Sequence, residues 1–396
     1  MRGSVVKRGD GYSIVVELER DPITGKRRQK WHSGYRTKKD AERALSETVT
    51  ALHAGTYIEP TKQTLADFVK QWLVAIEPTI RPSTHYSYDR NVRLHVLPHL
   101  GSVQLRRIDA GMLNGLYAEL LADGKQSNGG GGLSPRSVRY IHTIVHRAFR
   151  DAVRWGRIAR NPADAADPPR SAASVRPTMK TWTAEQLRAF LDHTADHRLH
   201  AAFVLLATTG MRRGECLGQR WSDVDLQAGR VSITQTVIAV NHDVRMGSPK
   251  TARARRTVVI DPGTVVALRE HRQRQLAERL LMGAGFTDHG LVFCRPDGAP
   301  LHPERFSRTF TIEAARAGLP AIRLHDLRHT WATLALTAGE HPKIVQERLG
   351  HANVSITLDV YSHVSEGLHA DAASRVAGII FGVSTSLANR RGGGHD

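Results

Sequence analysis

The pattern of apolar and polar positions divides the chain into three segments, and the first is short and rich in β structure. Residues 11–18 contain many β-branched side chains and predict a strand, which turn residues at 21–25 separate from a return strand over 26–32. After Thr37, apolar residues recur at spacings of three and four and predict a helix. The segment therefore predicts a small β-hairpin followed by a helix.

The second segment is predicted to be helical. Its first helix is expected to begin after Thr64, and glycines between 124 and 132 predict a flexible loop. A long helix is then predicted from Ser134 to about Trp155. The stretch from 161 to 177 contains four prolines and no periodicity, which predicts a linker.

The third segment, from about 178 to 381, mixes helices and strands. Its pattern predicts helices over 184–193 and 199–208, strands over 230–240 and 257–260, and further helices from about Val265. We therefore predict an α+β multidomain protein. It would have a small β-sheet plus helix at the N-terminus, an all-α domain, and a mixed, mainly helical domain with a small antiparallel sheet.

Composition points to a polyanionic partner. The 396 residues include 56 Lys and Arg against 38 Asp and Glu, a formal charge of +18. Nucleic acids, heparin and anionic membranes would all attract such a charge. No apolar run is long enough to span a membrane, and Cys216 and Cys294 are too few for a disulfide framework. We therefore expect a cytoplasmic protein without a membrane partner.

The basic residues are concentrated in two places. The first 39 residues hold eleven basic and four acidic side chains, and the stretch from 136 to 160 holds seven arginines and one acid. A basic hairpin fits a DNA groove, although a solvated hairpin without a partner would look the same. In the long helix, arginines on neighbouring turns form a cationic stripe. The candidate DNA-binding residues are Lys26, Arg27, Arg28, Lys30, Arg136, Arg139, Arg147 and Arg150.

Four separated pieces of the third segment carry candidate chemistry, and each is a weak signal alone. They are Thr209–Glu215, Pro249–Thr251, His325–His329, and Leu349–His351 followed ten residues later by a tyrosine. On a helix, His325 and Arg328 would share a face. His325 and His329 also have zinc-ligand spacing, but neither a third ligand nor an intervening Glu accompanies them, so no metal is expected.

Two residue counts strengthen these candidates. After residue 180 the only lysines are Lys250 and Lys343, and Lys250 stands in an otherwise Arg-rich run. Lysine gives up a proton in a cationic site far more readily than arginine, as a general acid must. Tyr361 is the only tyrosine of the third segment. A phenolic nucleophile in this segment would therefore have to be Tyr361.

Together, in this order, the motifs resemble those of the tyrosine recombinase (phage integrase) family. The resemblance implies that Arg212, Lys250, His325, Arg328 and His351 are catalytic, that Tyr361 is the nucleophile and that Glu215 supports Arg212. Arg213 occupies a variable position and receives no role. The family layout also implies an arm-type DNA-binding domain with a three-stranded sheet over 1–57, a helical core-binding (SAM-like) domain over 62–165, a catalytic domain over 177–381 and a flexible tail over 382–396.

The implied function is site-specific integration and excision of a phage or other mobile element through a 3′-phosphotyrosyl intermediate, without metal, ATP or cofactor. The implied partners are double-stranded DNA with core and arm attachment sites, three further copies of the chain in a homotetramer, and DNA-bending and excision factors. Alternatives are a conjugative-element transposase of the same chemistry, a type IB topoisomerase-like enzyme and a non-catalytic DNA-binding regulator. Whether the apolar segment after Tyr361 packs on its own catalytic domain or on a neighbouring copy stays open.

Overall fold

The computed structural model divides into two compact units, Met1–Val175 and Arg176–Asp396. The structure describes residues 3–18, 24–54, 57, 61–125, 130–170, 180–241, 243–248, 255–350, 377–378 and 380. Among these residues, no helix combines the length and the apolar character that crossing a membrane requires.

The first unit begins with three strands and a helix, which are β1 (Gly3–Arg8), β2 (Gly11–Leu18), β3 (Arg28–Tyr35) and α1 (Lys38–His53). The strands form an antiparallel sheet in the order β1–β2–β3. Ile14 and Val16 on one face of β2 bury against Ala41 of α1. The hairpin predicted from the pattern thus gains a third strand, β1, whose six residues show too little alternation to predict it.

A helical bundle makes up the rest of this unit. Its helices are α2 (Leu65–Ile76), α3 (Pro82–His95), α4 (Leu97–Leu100), α5 (Ala110–Asp123) and α6 (Pro135–Arg154). Helix α2 begins after Thr64, as the sequence predicts, and Thr64 and Asp67 form a capping box there. In the core, the indole N–H of Trp72 donates to the buried carboxylate of Asp151 at 2.8 Å, which ties α2 to α6.

The segment predicted as a linker is packed at its start. Residues Pro162–Ala165 form a 3-10 helix against α5 and α6, and Ala163 and Ala166 are buried in the core of the bundle. Asn161 begins this turn by accepting a hydrogen bond from the N–H of Ala163. The linker prediction is therefore wrong for these residues, because small side chains fitted into a core carry no hydrophobic period.

The second unit has a helical core with two small antiparallel sheets, which confirms the mixed and mainly helical prediction. Its helices are α7 (Ala184–His193), α8 (His200–Thr209), α9 (Arg213–Leu217), α10 (Pro262–Met282), α11 (Pro303–Arg316), α12 (Asp326–Thr337) and α13 (Pro342–Leu349). Its strands are β4 (Val224–Asp225), β5 (Arg230–Ile233), β6 (Thr236–Val240), β7 (Asp243–Gly247) and β8 (Arg256–Val259). The predicted strand over 230–240 is split into β5 and β6, which belong to different sheets, one ordered β4–β5–β8 and the other β6–β7.

Helix α8 is the centre of this unit, because eight of its ten residues are buried. It contacts α7, α9, α10 and α12. It ends at Gly210, whose φ of +63° turns the chain sharply towards α9. The next residues along the chain are those of the first catalytic motif predicted from the sequence.

Candidate active site

Arg212 immediately precedes α9 and is held there by Glu215. The carboxylate of Glu215 accepts the backbone N–H of Arg212 at 3.0 Å and its guanidinium Nη1 at 2.8 Å. Glu215 is almost fully buried, whereas 39% of the Arg212 side chain is exposed. The motif therefore holds one arginine in place while leaving its side chain partly exposed.

A second arginine, Arg256 of β8, binds the other side of the same carboxylate. Its Nη2 and Nη1 donate to Glu215 at 2.9 and 3.3 Å. Burial by itself raises the pKa of Glu215, but the hydrogen bonds and charges of Arg256 and Arg212 outweigh this effect and lower it. Glu215 is therefore ionised at neutral pH and joins two guanidinium groups.

Helix α12 supplies the third arginine. Arg328 is 4% exposed and donates from Nη1 to the carbonyl of Gly210 at 2.8 Å. Burial, with the nearby charge of Arg212, lowers the pKa of Arg328 to about 9, so it remains charged at neutral pH. This contact places the predicted His-x-x-Arg motif against the end of α8. Gly210, which accepts the hydrogen bond, lies two residues before Arg212 in the sequence.

The end of α13 joins all three arginines. The carbonyl of Arg348 accepts from Nε of Arg256 at 2.7 Å, that of Leu349 from Nη2 of Arg328 at 2.6 Å, and that of Gly350 from Nη2 of Arg212 at 3.2 Å. The last carbonyls of a helix lack intrahelical partners and carry partial negative charge. Three consecutive carbonyls therefore hold three arginines that come from three different elements.

The charges at this site do not balance. One buried carboxylate, Glu215, faces the guanidinium groups of Arg212, Arg256 and Arg328. Among the described residues, positive charge therefore remains in excess, and the helix carbonyls offset it only in part. Buried charge without a counter-ion is costly, so the site favours an anion. With five N–H donors each, Arg212 and Arg328 keep donors beyond their contacts with the described residues.

His325 lies at the start of α12, one turn before Arg328. Its ring packs edge-on against His329 with the centroids 5.2 Å apart. His325 is exposed to solvent, yet partial desolvation, together with the charges of His329 and Arg328, lowers its pKa to about 4. The imidazole is therefore neutral at neutral pH and can accept a proton.

Three predicted catalytic residues, Lys250, His351 and Tyr361, lie outside the described residues, as does the predicted tail over 382–396. The structure thus brings together Arg212, Glu215 and Arg328, with His325 one turn away. Within the described part of the chain, no group of three or more His, Cys, Asp and Glu is arranged to hold a metal ion.

The predicted DNA-binding residues occupy two surfaces of the first unit. Lys26 and Arg27, just before β3, and Arg28, its first residue, are exposed. Lys30 pairs with Val16 and therefore lies on the face of the sheet that packs on α1. In α6 the arginines lie opposite the buried apolar face. Arg136, Arg139 and Arg150 are exposed there, and Arg147 is half-buried over the ring of Tyr88.

Sequence reasoning missed Arg256. The residue stands in the same Arg-rich run as Lys250, where spacing alone does not separate it from its neighbours. Strand alternation would have provided a signal, because Arg256 shares a face of β8 with the buried Val258. An arginine at an inward-facing position needs a buried partner, and Glu215 is that partner.

Gly210 makes the approach of these elements possible. A Cβ atom there would lie 2.6 Å from Cδ2 of Leu349 and 3.0 Å from the ring of Trp331. Only glycine therefore allows α12 and α13 to pack against the end of α8.

We expect Gly210→Ala to destabilise the second unit, because the new methyl group displaces Leu349 and Trp331. The matched control is Gly318→Ala, since Gly318 has a φ of +67° and a Cβ there would meet no described atom within 4 Å. The control should lose only about 1–2 kcal/mol of unfolding free energy, the cost of placing alanine in a left-handed conformation. Urea unfolding of both variants measures the difference, and equal losses would contradict the close packing.

Models of three protein families match the chain. The Phage integrase family matches residues 179–367, the Arm DNA-binding domain residues 4–52, and the Phage integrase N-terminal SAM-like domain residues 64–120. The catalytic motifs that resemble this family therefore lie inside the matched region.

Two solved structures have a similar fold. The Tn1549 transposon integrase in complex with a circular intermediate DNA has a TM-score of 0.63 and 20% identity, over 80% of this chain and 100% of that chain. A lambda integrase tetramer bound to a Holliday junction has a TM-score of 0.53 and 18% identity, over 89% of this chain and 92% of that chain.

Relatives match over nearly the full length. A tyrosine recombinase XerC-like protein of Caldanaerobacter subterraneus subsp. tengcongensis is 28% identical over 377 residues, covering 91% of this chain and 94% of that protein. An integrase of Streptomyces ambofaciens is 31% identical over 375 residues, covering 89% of this chain and 92% of that protein. The chain therefore belongs to the phage integrase family and is a tyrosine-type site-specific recombinase of a mobile element.

Proposed function

We propose that this recombinase cuts and rejoins DNA at a phosphate bound by Arg212 and Arg328, through a covalent bond to Tyr361. The observation that carries the proposal is that these two arginines, 116 positions apart in the sequence, meet at the end of α13 in a site where positive charge is in excess. A phosphodiester supplies the anion that such a site favours. Planar guanidinium groups also match the geometry of its nonbridging oxygens.

In the proposed reaction, the phenolic oxygen of Tyr361 attacks the scissile phosphorus. A bond forms between Tyr361 and the 3′ phosphate, the bond to the 5′ oxygen breaks, and a 5′-hydroxyl is released. Arg212, Arg328 and His351 bind the nonbridging oxygens as charge develops on them. A 5′-hydroxyl of the partner strand then reverses the step, so the energy of the broken bond is conserved in the phosphotyrosyl link.

Two residues move the protons. His325 is neutral at neutral pH, which suits it to assist removal of the phenolic proton. As the phosphate binds, its negative charge raises the pKa of His325 and favours that transfer. Lys250 donates a proton to the departing 5′ oxygen.

The proposed DNA surfaces follow the domain boundaries expected from the sequence. The domain over 1–57 would bind arm sites, and the domain over 62–165 would bind core sites through the arginines of α6. In the arm domain, the sheet face opposite α1 exposes Trp31, with Arg8 stacked 5.0 Å from its ring. We add this pair to the proposed arm surface, because it lies on the face that α1 leaves uncovered.

The proposed assembly is a homotetramer on DNA that passes through a Holliday junction, aided by DNA-bending and excision factors. The solved lambda integrase tetramer on a Holliday junction, whose fold this chain shares, supports that arrangement. Since the substrate is chromosomal DNA, the proposed place of action is the cytoplasm of a bacterial host. An element of phage or conjugative origin would use the same chemistry.

We expect Tyr361→Phe to abolish the covalent protein–DNA adduct, because phenylalanine has no nucleophilic oxygen. The measurement is a denaturing SDS gel after incubation with a nicked attachment-site duplex in EDTA, the duplex being recovered from the junction of element and chromosome. Tyr86→Phe, in the first unit, should still form the adduct. An adduct that persists in Tyr361→Phe would refute the assignment of the nucleophile.

Replacing Lys250 by alanine should slow cleavage about 10²- to 10⁴-fold, the usual contribution of a general acid. A duplex with sulfur at the 5′-bridging position should restore the rate, because a thiolate leaves without being protonated. The control is Lys343→Ala, at another lysine of the second unit, and this variant should cleave both duplexes at the wild-type rate. If sulfur fails to restore cleavage by Lys250→Ala, Lys250 is not the acid.

Deletion of residues 1–57 tests the arm domain. We expect the shortened protein to cleave core-site duplexes at the rate of the full chain, because the proposed catalytic residues lie beyond residue 200. Integration that depends on arm sites should be lost in a plasmid recombination assay. Arm-dependent integration by the shortened protein would show that arm binding resides elsewhere.

A further inference from the structure

Arg256 binds two parts of the candidate active site but belongs to none of the motifs that define it. Its terminal nitrogens donate to both oxygens of Glu215, which in turn accepts the backbone N–H and Nη1 of Arg212. A single carboxylate therefore transmits the position of Arg256 to Arg212. Glu215 and Arg256 are 41 residues apart in the sequence, so the tertiary fold is needed to bring them into contact.

The second part is the chain that leads to His351. Nε of Arg256 donates to the carbonyl of Arg348 at 2.7 Å, and a Cβ atom at Gly350 would lie 3.0 Å from Nη1 of Arg256. Gly350 has a φ of +66°, so it forms a tight turn directly on the guanidinium. Arg256 thus contacts the residues on both sides of Leu349, whose carbonyl accepts from Arg328.

We propose that Arg256 is a positioning residue for strand cleavage: it fixes Glu215, and through it Arg212, and it fixes the end of α13 next to His351. The inference rests on the proposed assignment of Arg212 and His351 to the scissile phosphate. It adds a residue that aligns phosphate-binding groups from separate elements without touching the phosphate.

Exposure separates the roles of the two arginines that share Glu215. Only 9% of the Arg256 side chain is accessible, whereas 39% of the Arg212 side chain is. Arg256 directs its nitrogens to the carboxylate and to the helix carbonyl, and Arg212 keeps an open side. A ligand in solution therefore reaches Arg212 and not Arg256.

The geometry also requires arginine at this position. Arg256 contacts Glu215 with two nitrogens and the carbonyl of Arg348 with a third, and the rigid fork of a guanidinium allows all of these contacts at once. A lysine has a single nitrogen and cannot span both partners. Arg256→Lys should therefore keep the charge and lose the alignment.

The test compares single-turnover cleavage of two core-site duplexes, one with the natural phosphodiester and one with a methylphosphonate at the scissile position. The methylphosphonate lacks the charged nonbridging oxygen, so its cleavage depends less on a correctly placed Arg212. We expect Arg256→Met and Arg256→Lys to cleave the phosphodiester about 10- to 100-fold more slowly, the range found when an outer-shell partner is removed. Most of this loss should disappear on the methylphosphonate.

The matched control is Arg198→Met. Arg198 makes a comparable bidentate pair with Glu278, both contacts at 2.6 Å, in the same unit and away from Glu215. Its replacement should lower the melting temperature and affect cleavage of both duplexes equally. If the Arg256 variants behave in the same way, Arg256 has only a structural role and the proposal is overturned.

A double-mutant cycle with Glu215→Gln identifies the route. If Arg256 acts through Glu215, the rate loss of the double variant should be smaller than the product of the two single losses. Fully multiplied losses would mean that Arg256 does not act through Glu215, which overturns the proposal. If Arg256→Met does not fold, Arg256→Lys decides both comparisons. Failure of the proposed function is recognised separately, because the wild-type protein would then form no adduct that depends on Tyr361.

Discussion

The buried carboxylate of Glu215 is the interaction on which the catalytic unit depends. It is ionised although it is almost fully buried, because the two guanidinium groups that bind it stabilise its negative charge. Those guanidinium groups come from the start of α9 and from β8, so the ion pairs also join a helix to a sheet. Loss of either arginine would leave a buried charge without one of its partners.

The same interaction explains how residues remote in sequence form one site. Helix α8 is mostly apolar and eight of its ten residues are buried, which places its end, at Gly210, inside the unit. The glycine turn lets α12 and α13 approach, and the arginines then satisfy carbonyls that the end of α13 leaves without helical partners. The result is a group of cations held in fixed positions with an excess of positive charge. A single bound phosphate would neutralise much of that excess.

Local patterns predicted most elements but not the contacts between them. The helix expected from Ser134 to about Trp155 is Pro135–Arg154, because its apolar spacing, N-cap and proline all agree. The motifs associated Arg212 with Glu215, three residues apart, and the two side chains are in contact in the structure. The pattern alone missed strand β1, which pairs with the adjacent strand β2 but shows little alternation of its own. It also missed the buried start of the expected linker and the contacts of Arg256. These depend on partners further along the chain, as in the 92 residues between Arg256 and Arg348.

The most direct measurement is a structure of the full chain on a core-site duplex with vanadate bound between Tyr361 and the 5′-hydroxyl, as a mimic of the transition state. The account predicts guanidinium nitrogens of Arg212 and Arg328 within about 3 Å of the vanadate oxygens, a hydrogen-bonding distance. It also predicts that Arg256 remains on Glu215 and the carbonyl of Arg348, away from the vanadate. Vanadate bound without Arg212 and Arg328, or in direct contact with Arg256, would contradict it.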